Sequence, residues 1–90
     1  MTLGKPVVKV VEMDDEMRDF AITEAINALE KANTEMKVAS LLKDKFEEKY
    51  QSVWHCIVGR NFGGFVTHEL NRYIYFYIGQ KGFLIFSTPI

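Results

Sequence analysis

The spacing of apolar positions changes twice along the chain. From Val7 to Met13, "VVKVVEM" is a short β-branched run and predicts a first strand. Pro6 ahead of it suits a strand start and not the middle of a central strand. The period then lengthens. Met17, Ala21, Ala25, Ala28 and Ala32 recur at helical spacing, and Ile22, Ile26 and Leu29 widen the stripe. Asp14 stands where a cap belongs, and Asp15 and Glu16 put negative charge in the first turn, where the helix dipole favours it. This helix is expected to end near Asn33. Asn33 or Thr34 then caps a second helix, whose apolar face is Val38, Leu42 and Phe46, flanked by Ala39 and Tyr50. Lys43 and Glu47 form an i,i+4 pair on its outer side.

From Trp54 the vocabulary is that of a sheet. "WHCIV", "NFGGFVTH", "YIYFYI" and "FLIF" are four short runs, punctuated by Gly59-Arg60, Glu69 to Arg72 and Gly79 to Lys81. The spacing predicts a meander of antiparallel strands. The expected order is β-α-α-β-β-β-β, one α+β domain over residues 1–90 with two helices packed on an antiparallel sheet. In "YIYFYI", Tyr73, Tyr75 and Tyr77 share one face, and Ile74, Phe76 and Ile78 share the other. Two helices cover only one face of a sheet. The tyrosine face therefore calls for a partner, and tyrosine suits an interface because it joins apolar area to a polar tip.

Composition sharpens this picture. The chain has 90 residues, of which 48% are hydrophobic and 13% aromatic, rich for so small a globule. Oligomerisation is the usual way for such a scaffold to bury the excess. A net charge of −1, with the charges interspersed, gives no basic footprint for nucleic acid and no polybasic membrane anchor. No run approaches the roughly 18–20 apolar residues of a membrane span. The single cysteine, Cys56, excludes an intrachain disulfide and points to a reducing compartment. The opening "MTLGKPVVKV" lacks the apolar core of a signal peptide, so a cytosolic protein is expected.

The stretch "GRNFGGFVTHEL", Gly59 to Leu70, is the one place where chemistry competes with architecture. Its glycines at 59, 63 and 64 match neither a Walker loop nor G-x-G-x-x-G, and they lead into strand residues instead of a helix N-terminus. His55 and Cys56 invite a dyad, but neighbours on a strand point to opposite faces. A partnership of Cys56 with His68 has nothing in the sequence to orient it, and a free cysteine is ordinarily a small buried hydrophobe. "THEL" lacks the second histidine of H-E-x-x-H, and the histidines and cysteine have no zinc spacing. No metal, cofactor or catalytic group is expected. The strand reading remains: Gly63 and Gly64 permit close approach by another backbone, so Asn61 to His68 is either an edge that accepts an added strand or a β-bulge without function.

The segment "KYQSVWHCIVGRNFGGFVTHELNRYIYFYIGQ" resembles the eight-kilodalton dynein light chain family. The resemblance rests on W-H-C-I-V-G-R-N-F-G at Trp54 to Gly63, V-T-H-E at Val66 to Glu69 and the aromatic strand ending in Gly-Gln at Tyr73 to Gln80. It covers nearly the whole chain. It implies a non-catalytic, strand-swapped homodimer in the cytoplasm, associated with microtubules. Such a dimer binds short disordered partner segments, dynein intermediate chain among them, by strand addition in two symmetric grooves. The guests often carry a Thr-Gln-Thr-type core, whose glutamine is held at the positions of Glu35 and Met36. The resemblance further implies that the backbone of Asn61, Phe62, Gly63, Gly64, Phe65, Val66, Thr67 and His68 forms the peptide ladder. Tyr73, Tyr75 and Tyr77 are implied as groove residues, and His55, Phe62, Phe65, Val66 and Thr67 as dimer-interface residues. Protonation of His55 would bury charge and favour monomer. The chain departs from the family pattern at Met36 (commonly lysine), Gly64 (serine), Phe65 (tyrosine) and Tyr73 (phenylalanine). These departures point to a divergent member with altered peptide preference, or to an axonemal dynein subunit of narrow specificity.

Overall fold

The computed structural model describes residues 5–60 and 72–88. The elements follow in the order β1 (Pro6–Glu12), α1 (Asp15–Lys31), α2 (Glu35–Lys49), β2 (Val53–Gly59), β3 (Tyr73–Ile78) and β4 (Lys81–Thr88). The two helices pack on a four-stranded antiparallel sheet. The further strand expected over Asn61 to His68 lies outside the described residues, as does the exchange of strands between subunits that depends on it.

Each helix starts from a residue expected to cap it. The Asp14 carboxylate accepts from the Met17 N–H at 2.8 Å and starts α1. The Thr34 hydroxyl accepts from the Lys37 N–H at 3.2 Å and starts α2. Caps of this kind are worth about 1 kcal/mol each. α1 closes two residues earlier than Asn33, with Ala32 as its C-cap, so the two helices are joined by only Ala32, Asn33 and Thr34. That short link turns α2 back beside α1.

The buried stripe of α1 is Met17, Ala21, Ala25 and Ala28, and that of α2 is Val38, Leu42 and Phe46. Alanines let the helices approach closely, and the larger α2 residues reach the sheet. The heart of the core is aromatic. Phe46 meets Phe20 edge-on at 5.0 Å and lies 4.7 Å from the Trp54 ring. Tyr50 closes the cluster against Phe20, and its carbonyl accepts from the Trp54 indole N–H at 3.1 Å. Edge-on and tilted pairs at these distances add to the burial of area itself. Replacing Phe46 by alanine removes the centre of this cluster and costs roughly 3–5 kcal/mol.

The sheet order is β1-β3-β4-β2, which corrects the expected meander. Only β3 and β4 are neighbours both in the described chain and in the sheet. A two-residue loop joins them, with Gly79 at φ 62°, a left-handed conformation that glycine adopts without cost. β4 takes the centre because its apolar run is continuous: Gly82 to Ser87 are all buried. With β3 on one side of it, β2 must pair on the other, and β1 joins the far side of β3.

The register assigns every strand residue to a face. The helices cover Trp54, Cys56 and Val58 of β2, Ile74, Phe76 and Ile78 of β3, and Phe83, Ile85 and Ser87 of β4. The opposite face carries His55 and Ile57, Leu84 and Phe86, the three tyrosines, and Val7 and Val10. Among the described residues no helix covers that second face.

Candidate functional site

The residues singled out from the sequence fall into two groups on opposite sides of the sheet. On the helix side, Thr34 caps α2 and so fixes Glu35 and Met36 in its first turn. Glu35 lines a cavity of about 210 Å³ between the α1–α2 link and the ends of β2, β3 and β4. Its carboxylate accepts from the Lys81 ammonium at 2.8 Å. Met36 points away from all of this and is 84% exposed.

On the far side, Tyr75 and Tyr77 form the floor of an open groove of about 580 Å³, walled by Val7, Lys9, Val10 and Gly79. The Tyr75 hydroxyl donates to that of Tyr77 at 3.0 Å. That bond, then burial, holds the Tyr75 phenol above its ordinary range. Tyr73 continues the row and stands opposite Phe86 in the register. A single copy of the chain does not bring Glu35 and Met36 together with the tyrosines, because the sheet lies between them. The expected ladder residues Asn61, Phe62, Gly63, Gly64, Phe65, Val66, Thr67 and His68 lie outside the described residues.

His55 belongs to the tyrosine side. Its ring stacks on Phe86 at 5.1 Å, and its Nε2 is 3.1 Å from the Thr88 hydroxyl. Cys56 belongs to the helix side, opposite Ile85 and against the core. Burial pushes its thiol up to about 12, the reverse of what a thiolate nucleophile needs. The sheet thus separates the two members of the dyad that the sequence placed side by side.

The two edges of the sheet are unlike. β1 is exposed along its whole length, yet it carries Pro6 at its start and an irregular register around Lys9, between Val8 and Val10. Proline, lysine and bulges are the devices that keep an edge from pairing. β2 has none of them. Its seven residues run in unbroken register on β4, and among the described residues nothing pairs with its other side. Val53 and Ile57 on this edge are 36% and 45% exposed, so apolar area flanks the open edge.

Comparison with known proteins accounts for this architecture. The family model described as dynein light chain type 1 matches residues 5–88. The chain belongs to the dynein light chain family. The dynein light chain-like domain of the calcium binding protein FhCaBP2 from Fasciola hepatica superposes with a TM-score of 0.79 at 25% identity, over 96% of this chain and 93% of that one. The dynein light chain-like domain of CsTAL3 superposes with a TM-score of 0.75 at 16% identity, over 92% of each chain, and shares the fold. Dynein light chains as a family are non-catalytic, act with dynein-associated protein partners and belong to the cytoskeletal machinery. No described helix here is long and apolar enough to cross a membrane.

Two features of the site escaped the sequence reading. Val7 walls the tyrosine groove beside Val10, which becomes visible only once β1 is known to pair with β3. Lys81 reaches Glu35 across forty-six positions. Its available signal was its place just after the Gly79-Gln80 turn: paired with Ile78, it shares the helix-side face.

Proposed function

We propose that this dynein light chain is a homodimeric hub that clamps short disordered segments, including dynein intermediate chain, by strand addition in two symmetric grooves. The observation that carries the reading is the open β2 edge beside an uncovered aromatic face, in a sheet whose other edge is protected. A strand supplied by a second copy extends the sheet at β2. The Asn61–His68 segment, with Gly63 and Gly64 allowing close backbone approach, is the strand so exchanged, and its outer edge receives the guest. Phe62, Phe65, Val66 and Thr67 then lie at the subunit interface with His55.

This arrangement also gives the divided site a purpose. Glu35 and Met36 of one copy and Tyr73, Tyr75 and Tyr77 of the other line one groove, so the dimer has two complete grooves and a single chain only the separate halves. Two grooves on one dimer hold two copies of a guest, and effective concentration raises the affinity for a paired partner without further contacts. The work is done in the cytoplasm on microtubule motors.

Calorimetric titration with a Thr-Gln-Thr-type peptide tests the reading. One peptide should bind per chain, and a Gly63→Val variant should lose that binding. A dimer that binds no such peptide contradicts the general hub and leaves a light chain of narrow specificity, a version favoured by the exposed Met36 at the head of α2.

A further inference from the structure

We propose that Lys9 is a specificity-determining residue: its ammonium selects a guest segment that carries an acidic side chain over the tyrosine floor. The inference rests on the strand-addition reading above and names the charge that one part of the groove prefers.

The placement of Lys9 follows from the irregular register of β1. Val8 stands opposite Phe76 and Val10 opposite Tyr75, so β1 advances two residues while β3 advances one. Lys9 is the extra residue. In a regular strand side chains alternate, and positions 9 and 10 face opposite ways. The bulge re-aims them, and Val7, Lys9 and Val10 all line the tyrosine groove. Val8 and Val11 keep to the helix side, opposite Phe76 and Ile74. Protection of the edge needs a lysine or a bulge and does not depend on the face. Here the bulge also brings the lysine into a groove floored by phenols.

That groove holds one cation in an otherwise uncharged lining of Val7, Val10, Tyr75, Tyr77 and Gly79. Among the described residues no carboxylate pairs with Lys9. The tyrosines add a donor. Tyr75 donates to the Tyr77 hydroxyl at 3.0 Å, which leaves the Tyr77 O–H to donate in its turn. A guest carboxylate is an acceptor only, and it meets an ammonium and a phenol O–H that both donate. A guest carboxamide accepts from the same groups without the charge and is held less strongly. A guest ammonium is repelled by Lys9 and finds no anion in the lining. Val7 and Val10 are 49% and 42% exposed in the single chain, so a guest lying on them displaces water from around the pair. The lower local dielectric strengthens the attraction.

The test uses peptides that share a Thr-Gln-Thr-type core and carry one variable residue, moved in turn through the positions before and after that core. Glutamate, glutamine or lysine stands at the variable place. Each peptide is titrated by calorimetry into the full-length chain and into Lys9→Gln and Lys9→Glu variants. At one flanking position or more the wild type should prefer glutamate over glutamine by about fivefold, with lysine weakest. Lys9→Gln should erase that preference. Lys9→Glu should reverse it, so that lysine binds best at the same position, an inversion that a disturbed fold does not produce. If the wild type takes glutamate and glutamine equally at every position, or if Lys9→Gln keeps the wild-type ratios, the role of Lys9 is overturned and strand addition stands. If the wild type binds none of the peptides, strand addition itself fails and takes this inference with it.

Discussion

His55 and Cys56 are consecutive in the chain and lie on opposite faces of β2. His55 stacks on Phe86 among the tyrosine-side residues, and Cys56 faces Ile85 under the helices. With burial raising the thiol to about 12, Cys56 is a packing residue. In the folded protein its alkylation by iodoacetamide at pH 7.5 should be slow and should accelerate on unfolding. Cys56→Ala should retain peptide binding and lose only about 1 kcal/mol of stability. Rapid labelling of the native protein would restore the case for a reactive cysteine.

The two edges of the sheet can be compared with one substitution. Ile57 on β2 and Val11 on β1 are 45% and 42% exposed, so exposure alone predicts the same effect of a lysine at either place. The dimer account predicts different ones. Ile57→Lys should weaken dimerisation by about tenfold or more, because it puts a charge at the subunit contact. Val11→Lys should leave dimerisation unchanged. Sedimentation velocity over a concentration series separates the outcomes, and equal effects would count against β2 as the pairing edge.

A fixed charge tests the place of His55. The ring is partly buried, against Phe86 and near the Thr88 hydroxyl, and it lies at the proposed subunit contact. His55→Lys, which puts a permanent charge there, should weaken dimerisation by about tenfold or more at neutral pH, measured by sedimentation velocity. A variant that dimerises as strongly as the wild type would remove His55 from the interface.

Glu47 links α2 to β2 and has its own pH signature. Its carboxylate accepts from Lys43 and from the Trp54 N–H, and these bonds, the lysine's first, hold it below the ordinary 4.5. A lowered folded value means that the contribution to stability is present above 4.5 and is lost as the pH falls through that lower value. Thermal unfolding measured from pH 6 downward should show this loss in the wild type. Glu47→Gln, which has no such titration, should show a shallower acid limb. Parallel limbs would mean that the contact does not couple to folding.

The legibility of the sequence tracked how local each signal was. The start of α1 could be read from Asp14 and that of α2 to within Asn33 or Thr34, of which Thr34 is the cap, since a cap is a contact three residues long. The alternation of "YIYFYI" assigned the faces of β3 correctly, because strand period depends on nothing beyond the strand. Strand order did not follow, since β2 pairs with β4 across an intervening strand and no local pattern carries that choice. The family resemblance, confirmed over residues 5–88, brought what local physics does not reach, an expectation of a groove made by two chains. Lys81 was missed for the same reason as the strand order. Its partner, Glu35, is distant in sequence, and a lone lysine after a turn reads as a solvated surface charge until the fold brings the two together.

The central claim is that the complete peptide groove is made by two chains. Sedimentation of the chain with a fluorescein-labelled Thr-Gln-Thr-type peptide at pH 7 tests it most directly, with Ile57→Lys as the monomeric comparison. The predicted result is label moving with a dimer at one peptide per chain, and none moving with the monomeric variant. Label that sediments with a monomer, or a dimer that leaves the label behind, would contradict the account.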